Sequence, residues 1–315
     1  MDPITKAILL SWDWKIEVII VLALAGTIYI RGWALLRRRT GGSRQYNLGG
    51  VRRSPWRLTA VWRPIAYLAG LFVIALALLS PIDALGQQLF FMHMIQHLLL
   101  IMIAPPLLLI ANPMPFMLWG LPGRWRLKVG GVISWGLHRD SRFRSYFRSA
   151  TNPGIVWLIW VIALISWHDP ALYNAALENE WVHNLEHLTF FLASMLFWWH
   201  VIGAGPRIHK QFGLIGRTAL VVSAIPPNML TGLSLAMATT AFYSYYTAVP
   251  RLWGLDVLVD QQIGGFIMWI PGSMMYIVSA LILLYRLLDK EDHKPIMPLE
   301  KWGSDEKLAV PGTKK

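Results

Sequence analysis

No cysteine occurs in the 315 residues. Disulfide frameworks, thiolate metal sites and cysteine nucleophiles are thereby excluded, and any metal here must be held by His, Met, carboxylate or backbone oxygen. Charge is scarce as well, at 15% of residues against about 25% in an ordinary soluble domain, which disfavours a soluble enzyme. Acidic residues are the scarcer sign, 17 against 29 basic ones, leaving a formal net charge of +12. No internal repeat is visible, so an inverted-repeat transporter is not supported. What is plentiful is apolar: 55% hydrophobic residues, 17 Trp and a mean hydropathy of +0.46. Such a chain suits a bilayer with its interfacial aromatic belt, and disorder is excluded for its bulk.

Seven runs are long and apolar enough to cross a bilayer, which takes about 20 residues: roughly 16–36, 62–80, 85–111, 153–167, 181–203, 217–242 and 261–286. The fourth is the shortest. The runs lack the alternation of barrel strands, and lipid forces backbone groups to pair within their own segment, so they are read as helices. The expected fold is therefore all-α, a polytopic membrane protein with seven transmembrane helices over residues 1–287 and a polar, disordered tail over 288–315.

Lys and Arg set the orientation. Nine lie in 31–63, seven in 112–152, three in 204–217 and seven in 286–315, together 26 of the 29. The positive-inside rule then places the N-terminus outside and the C-terminus in the cytoplasm. The basic balance is thus a topology signal, and no nucleic-acid partner is expected. Ala23-Leu24-Ala25 resembles a signal-peptide cleavage site, but cleavage there would invert the charge bias of the remaining spans, so the first span is kept. The connectors 37–61 and 119–150 read as solvated or headgroup-lying segments held at an anionic leaflet.

With spans and sides assigned, the nine His separate into two groups. His138, His209 and His293 fall in cytoplasmic connectors and His200 near the cytoplasmic end of span five, where a solvated or interfacial His suffices. The other five gather at the outer side. Span three carries Met92-His93-Met94-Ile95-Gln96-His97, and span five carries His183-Asn184-Leu185-Glu186-His187. In each, two His four residues apart share a helix face, about 6 Å apart along the axis. His93 and His187 would both lie roughly 10 Å below their entry points. His168 followed by Asp169 ends span four on that side, and Asp260-Gln261-Gln262 opens span seven. Glu186 is the one mid-span carboxylate, and ionisable groups within a membrane are expensive and usually functional.

Several chemistries could use these groups. Neutral imidazoles at His93, His97, His183 and His187 can hold copper, zinc or haem iron, with Glu186, Asp260 or His168 orienting a ligand ring or adding a donor. Thioethers at Met94 and Met268 would favour Cu(I), although Met is also a common packing filler. The string His183-x-x-Glu186-His187 matches the inverted zinc-protease signature, in which two His hold zinc and Glu activates water. A bis-His haem between spans three and five would need one His from each helix and room for a macrocycle. A purely structural scaffold would use the same His as interhelical hydrogen bonders. Pro105-Pro106, Pro226-Pro227 and Pro271 each free a carbonyl that neighbours must satisfy, and are read as packing bends.

The run His93-Met94-Ile95-Gln96-His97-Leu98-Leu99-Leu100, continuing to Ala104-Pro105-Pro106-Leu107-Leu108 and Asn112-Pro113, resembles the signature span of the multi-spanning CtaG family of cytochrome c oxidase assembly factors. Glu186-His187-Leu188 with Phe197-Trp198-Trp199, and Asp260-Gln261-Gln262 with Gly265, Met268-Trp269 and Pro271-Gly272, agree with it over residues 60–287. The absence of Cys separates the chain from the single-span, cysteine-bearing copper chaperone that shares the CtaG name. The resemblance implies a multi-pass protein of the bacterial plasma membrane that is not an enzyme. It would mature a haem-copper oxidase by handling copper, with cytochrome c oxidase subunits as partners. It carries over His93, His97, His187 and Asp260 as motif positions, whereas His183 and His168 rest on the topology.

Overall fold

A computed structural model describes residues 10–41, 59–138, 140–205, 208–209 and 212–293. The Arg-rich stretch 42–58 and most of the polar tail, from 294 on, lie outside these residues. Among the described residues every regular element is helical. The long ones are α1 (Ile16–Gly41), α2 (Trp62–Leu79), α11 (Glu180–Ile202), α12 (Leu214–Ala236) and α14 (Val257–Asp292). Span three is composite: α4 (Phe90–Leu98), a π-helical turn over Leu99–Ile103, and α5 (Ala104–Ile110). Shorter helices fill the connections: α3 (Pro81–Gly86), α6 (Pro113–Gly120), α7 (Gly123–Gly136), α8 (Arg142–Ala150), α9 (Pro153–Trp167), α10 (Pro170–Glu178) and α13 (Tyr245–Ala248).

Among the described residues six helices are long and apolar enough to cross a membrane, and α8 with α9 makes a seventh if that pair, bent by 51°, counts as one span. The fourth expected run is this pair. Pro153 cannot continue α8, so Asn152 caps a new helix by accepting from the Gly154 amide at 3.0 Å. Span seven is longer than the apolar run suggests. Asp256 caps it by accepting from the Leu258 and Val259 amides, and it extends to Asp292, beyond the expected boundary at 287. Lipid-facing apolar residues such as Ile65, Phe72, Ile162, Leu230 and Leu281 stay exposed on the outside of the bundle, as expected where lipid replaces water.

The main core joins α4, α9, α11, α12 and α14 through Phe90, Trp160, Phe197, Val221, Met268 and Tyr276. A smaller one, around Tyr29, Tyr67, Leu108 and Phe116, ties α1 to α2, α5 and α6. α12 packs closely on α14. A Cβ at Gly265 would overlap the Ala236 backbone nitrogen, so only glycine permits that approach.

The prolines do what their chemistry requires. Pro105 has no N–H to offer the carbonyl four residues earlier, that of Ile101. In its place Ser194 Oγ and Trp198 Nε1 (3.0 Å), both from α11, donate to Ile101 O. The break in span three thus becomes a weld to span five, one to two turns along span three from His97 and His93. Near Pro271, Asn228 Nδ2 of α12 donates to Met268 O (3.1 Å) and Ser273 Oγ (3.3 Å). Both proline regions are thus bonded by side chains from a neighbouring helix.

Candidate metal centre

Two helix starts position the paired His. Asn179 caps α11 by accepting from the Trp181 amide at 2.9 Å, and three residues later the helix turns His183, Glu186 and His187 to one face. α4 has no cap of its own. Asp260, from the first turn of α14, supplies it: its two oxygens accept from the Phe90 and Phe91 amides at 3.0 Å each, and Arg251 Nη2 donates to it at 2.9 Å. Asp260 therefore acts on the helix that bears His93 and His97 rather than on an imidazole. Gln261 Oε1 accepts from the Phe242 amide at 2.6 Å, and Gln262 Nε2 donates to Ala238 O at 3.0 Å. The Asp-Gln-Gln triplet is thus a staple for α4 and for the loop after α12.

The four paired His and Glu186 meet, all of them buried. His93 Nε2 lies 2.9 Å from His97 Nε2 and 3.6 Å from Glu186 Oε2, and His97 Nε2 lies 3.4 Å from Glu186 Oε1. The His183 and His187 rings are 4.2 Å apart, and His187 is 5.8 Å from His93 and 5.5 Å from His97. His93, His183, Glu186 and His187 can each aim a ligand atom so that all four lie within 4.8 Å of one another. A tetrahedral ion with bonds of about 2.1 Å needs donors ~3.4 Å apart, so small side-chain movements suffice to close around one.

Hydrogen-bond accounting singles out the same place. Of the eleven buried side-chain atoms without a partner among the described residues, seven belong here: His93 Nδ1, His97 Nδ1, His168 Nε2, His183 Nε2, His187 Nε2 and both oxygens of Glu186. Buried polar atoms are normally paired, because each orphan costs about 1–3 kcal/mol. A metal ion is the partner that a set of imidazole nitrogens and a carboxylate lacks, so the donor chemistry fits one.

His168 joins from the end of α9. Its Nδ1–H donates to Leu164 O at 2.8 Å, which leaves Nε2 as the bare lone pair, and its ring is 6.2 Å from that of His97. Met94 and Met268 are buried just inward, beside His97. Gln87 Nε2 approaches His183 Nδ1 at 3.5 Å.

Tyrosines that the sequence did not single out roof the site. Tyr246 donates to Gly86 O (2.8 Å), Tyr173 and Tyr246 hydroxyls meet at 3.3 Å, and Tyr243 donates to His168 O (3.1 Å). The Tyr173 ring is 5.1 Å from His93. Burial raises all three hydroxyls above their ordinary value, which keeps them neutral. Their only sequence signal was the cluster Tyr243-Ser244-Tyr245-Tyr246 in a connector. On the other flank a groove of about 350 Å³ between α1, α2 and α11 reaches His187, with Glu17 and Asn184 at its sides.

The remaining His stand apart. His138 and His293 are exposed. His200 is buried, more so than an interfacial residue would be, and its Nε2 bonds Thr151 O at 2.8 Å while His209 Nε2 meets Thr151 Oγ1 at 2.9 Å.

A family model described as cytochrome c oxidase caa3 assembly factor (Caa3_CtaG) matches residues 27–290. An uncharacterized protein of Mycobacterium bovis and another of Mycobacterium tuberculosis are each 28% identical over 254 residues, 79% of this chain and 35% of theirs. A third, from Mycobacterium leprae, is 24% identical over 254 residues, 38% of its length. The chain thus spans little more than a third of these curated relatives. No solved structure matches it.

Proposed function

The chain belongs to the cytochrome c oxidase caa3 assembly factor family, and from that premise we propose that it holds copper as cargo for a metal centre of the oxidase. The observation that carries this is the convergence of seven partnerless polar atoms, from five His and Glu186, inside a membrane bundle. Imidazole donors suit copper, and the terminal oxidase whose assembly the family serves is a haem-copper enzyme.

His93, His183, Glu186 and His187 would hold the ion, with His97 and His168 beside them as exchange partners. The Lys and Arg bias supports an N-terminus outside and a C-terminus in the cytoplasm, which puts the site in the outer leaflet of the bacterial plasma membrane. The tyrosine roof closes it towards the outer aqueous side. The groove reaching His187 supports sideways exit to an oxidase subunit in the same bilayer, a path closed to a water-soluble donor.

The alternatives have less behind them. Imidazole rings packed 4.2–5.8 Å apart offer no slot for a macrocycle, against a haem role. His93 would complete a zinc-hydrolase triad with His183 and His187, but the roofed and buried site offers water no cleft. The test is the metal content and optical spectrum of the detergent-purified protein, wild type beside His187→Ala. About one copper per chain, lost in the variant and with no Soret band, is expected. Zinc with oxidase maturation abolished by Glu186→Gln would point to the hydrolase, and metal-free protein that still matures oxidase would leave only the scaffold.

A further inference from the structure

The outer cluster has more donors than one ion needs. Four of them form the convergent set of His93, His183, Glu186 and His187, and a tetrahedral or trigonal ion is then complete. His97 and His168 are left over, each with a buried, partnerless ring nitrogen. Both line a small, partly open cavity of about 40 Å³ beside the cluster, and its other notable walls are the thioether-bearing side chains of Met94, Met102 and Met268. These three Met are buried, at 2%, 4% and 7% exposure. The volume has room for one ion or a few waters.

Two imidazoles and three methionines from four helical segments around an ion-sized void are unlike the nitrogen and oxygen set next door. Thioethers are soft donors and select soft monovalent ions, whereas carboxylate and imidazole suit divalent ones. Glu186 spans the division: Oε2 faces His93 and Oε1 faces His97. His93 and His97 touch through their Nε2 atoms at 2.9 Å, so the two positions are contiguous.

We infer that the cavity is a second, softer metal position, built from His97, His168 and the thioethers of Met94, Met102 and Met268, which takes ions of the Cu(I) class. The chain then has two adjoining places for its cargo, and an ion passes between them by exchange of one imidazole for another with no change of oxidation state. The inference rests on the metal-handling reading for the role of the adjoining cluster, but the second position is argued from its own cavity and its own donors.

The test uses the full chain in detergent and chloride-free buffer, with Ag(I) as a redox-inert probe of the soft position and Zn(II) as a probe of the outer one. Wild type should hold both together, about one equivalent each. Met94→Leu/Met268→Leu, a near volume-conserving change, should weaken Ag(I) about tenfold or more and leave Zn(II) unchanged. Retained Zn(II) also shows that this variant is folded. His183→Ala/His187→Ala should do the reverse. Ag(I) displacing Zn(II) from one shared equivalent, Ag(I) binding that ignores the Met changes, or Zn(II) binding with no Ag(I) at all would each overturn the second position while leaving the outer one standing. A wild type that binds neither ion overturns the metal reading as well.

Discussion

Two buried polar regions of this bundle are built on opposite terms. Near the proline breaks, buried carbonyls are taken up by side chains: Ile101 O by Ser194 and Trp198, Met268 O by Asn228, Thr151 O by His200. Around the paired His, beneath the tyrosine roof, five imidazoles and a carboxylate leave seven buried atoms without a hydrogen-bond partner. The first region is what a chain does to stay folded. The second leaves orphaned polar atoms in the folded state, which costs stability. The contrast separates polar groups that serve the fold from the unpaired ones that the proposed metal would complete.

The sharpest way to break this comparison is to remove the orphans. His187→Leu should abolish metal binding at this position yet leave the metal-free protein as stable as wild type or more so, since it deletes an unpaired buried group. Metal titration with thermal unfolding checks both halves, and a strongly destabilised variant would mean that the imidazoles serve the fold after all. Saturating metal should stabilise wild type by about 3–4 kcal/mol at 100–1,000 times Kd and this variant not at all.

The mirror experiment is Trp198→Phe in the satisfied region. It removes one of two donors to Ile101 O and should lower stability by about 1 kcal/mol, and together with Ser194→Ala by about 1–3 kcal/mol, while metal stoichiometry stays at the wild-type value. Asp260→Asn is the intermediate case. It weakens the cap on α4 and the Arg251 pair, so a loss of about 1–3 kcal/mol should be accompanied by weaker metal binding, because His93 and His97 ride on that helix. Binding that is unmoved would separate the staple from the site.

The smallest effect belongs to Lys15, which donates to Asp83 at 2.7 Å, and Asp83 in turn accepts from Gln96 on α4. Burial works against the charge on Lys15, but the hydrogen bond and charge of Asp83 outweigh it and hold the ammonium above its ordinary value. Its contribution is therefore complete below about pH 10.4 and fades as pH rises through the higher folded value. Lys15→Met should lower stability by less than about 1 kcal/mol at pH 7 and flatten the alkaline limb of a stability curve.

Much of this was legible from residue spacing. Two i,i+4 His pairs at equal depth announced one face on each of two helices, and hydropathy alone located six of the spans, with ends up to about six residues off. What spacing does not carry is adjacency around the bundle. That α4 and α11 face one another depends on the weld at Ile101, which is visible only once Pro105 and Ser194 are side by side. Asp260 was conspicuous as a carboxylate at a membrane boundary, but its partners are backbone amides 170 and 169 residues away in sequence, and no local pattern encodes them. The tyrosine roof escaped for a different reason: connectors have no periodicity from which burial can be read.

The π-helical turn at Leu99–Ile103 has a consequence for how span three keeps count. One α-helical residue is worth about 100° of rotation, and a wide turn stores one extra residue without advancing the face. Residues up to Leu98 and those from Ala104 on are therefore in different phases, as two screws joined by a slipped thread. Deleting a single residue within Leu99–Ile103 would return the thread to register and swing the imidazoles of α4 away from Glu186 by roughly a quarter turn, with every donor still present in the chain.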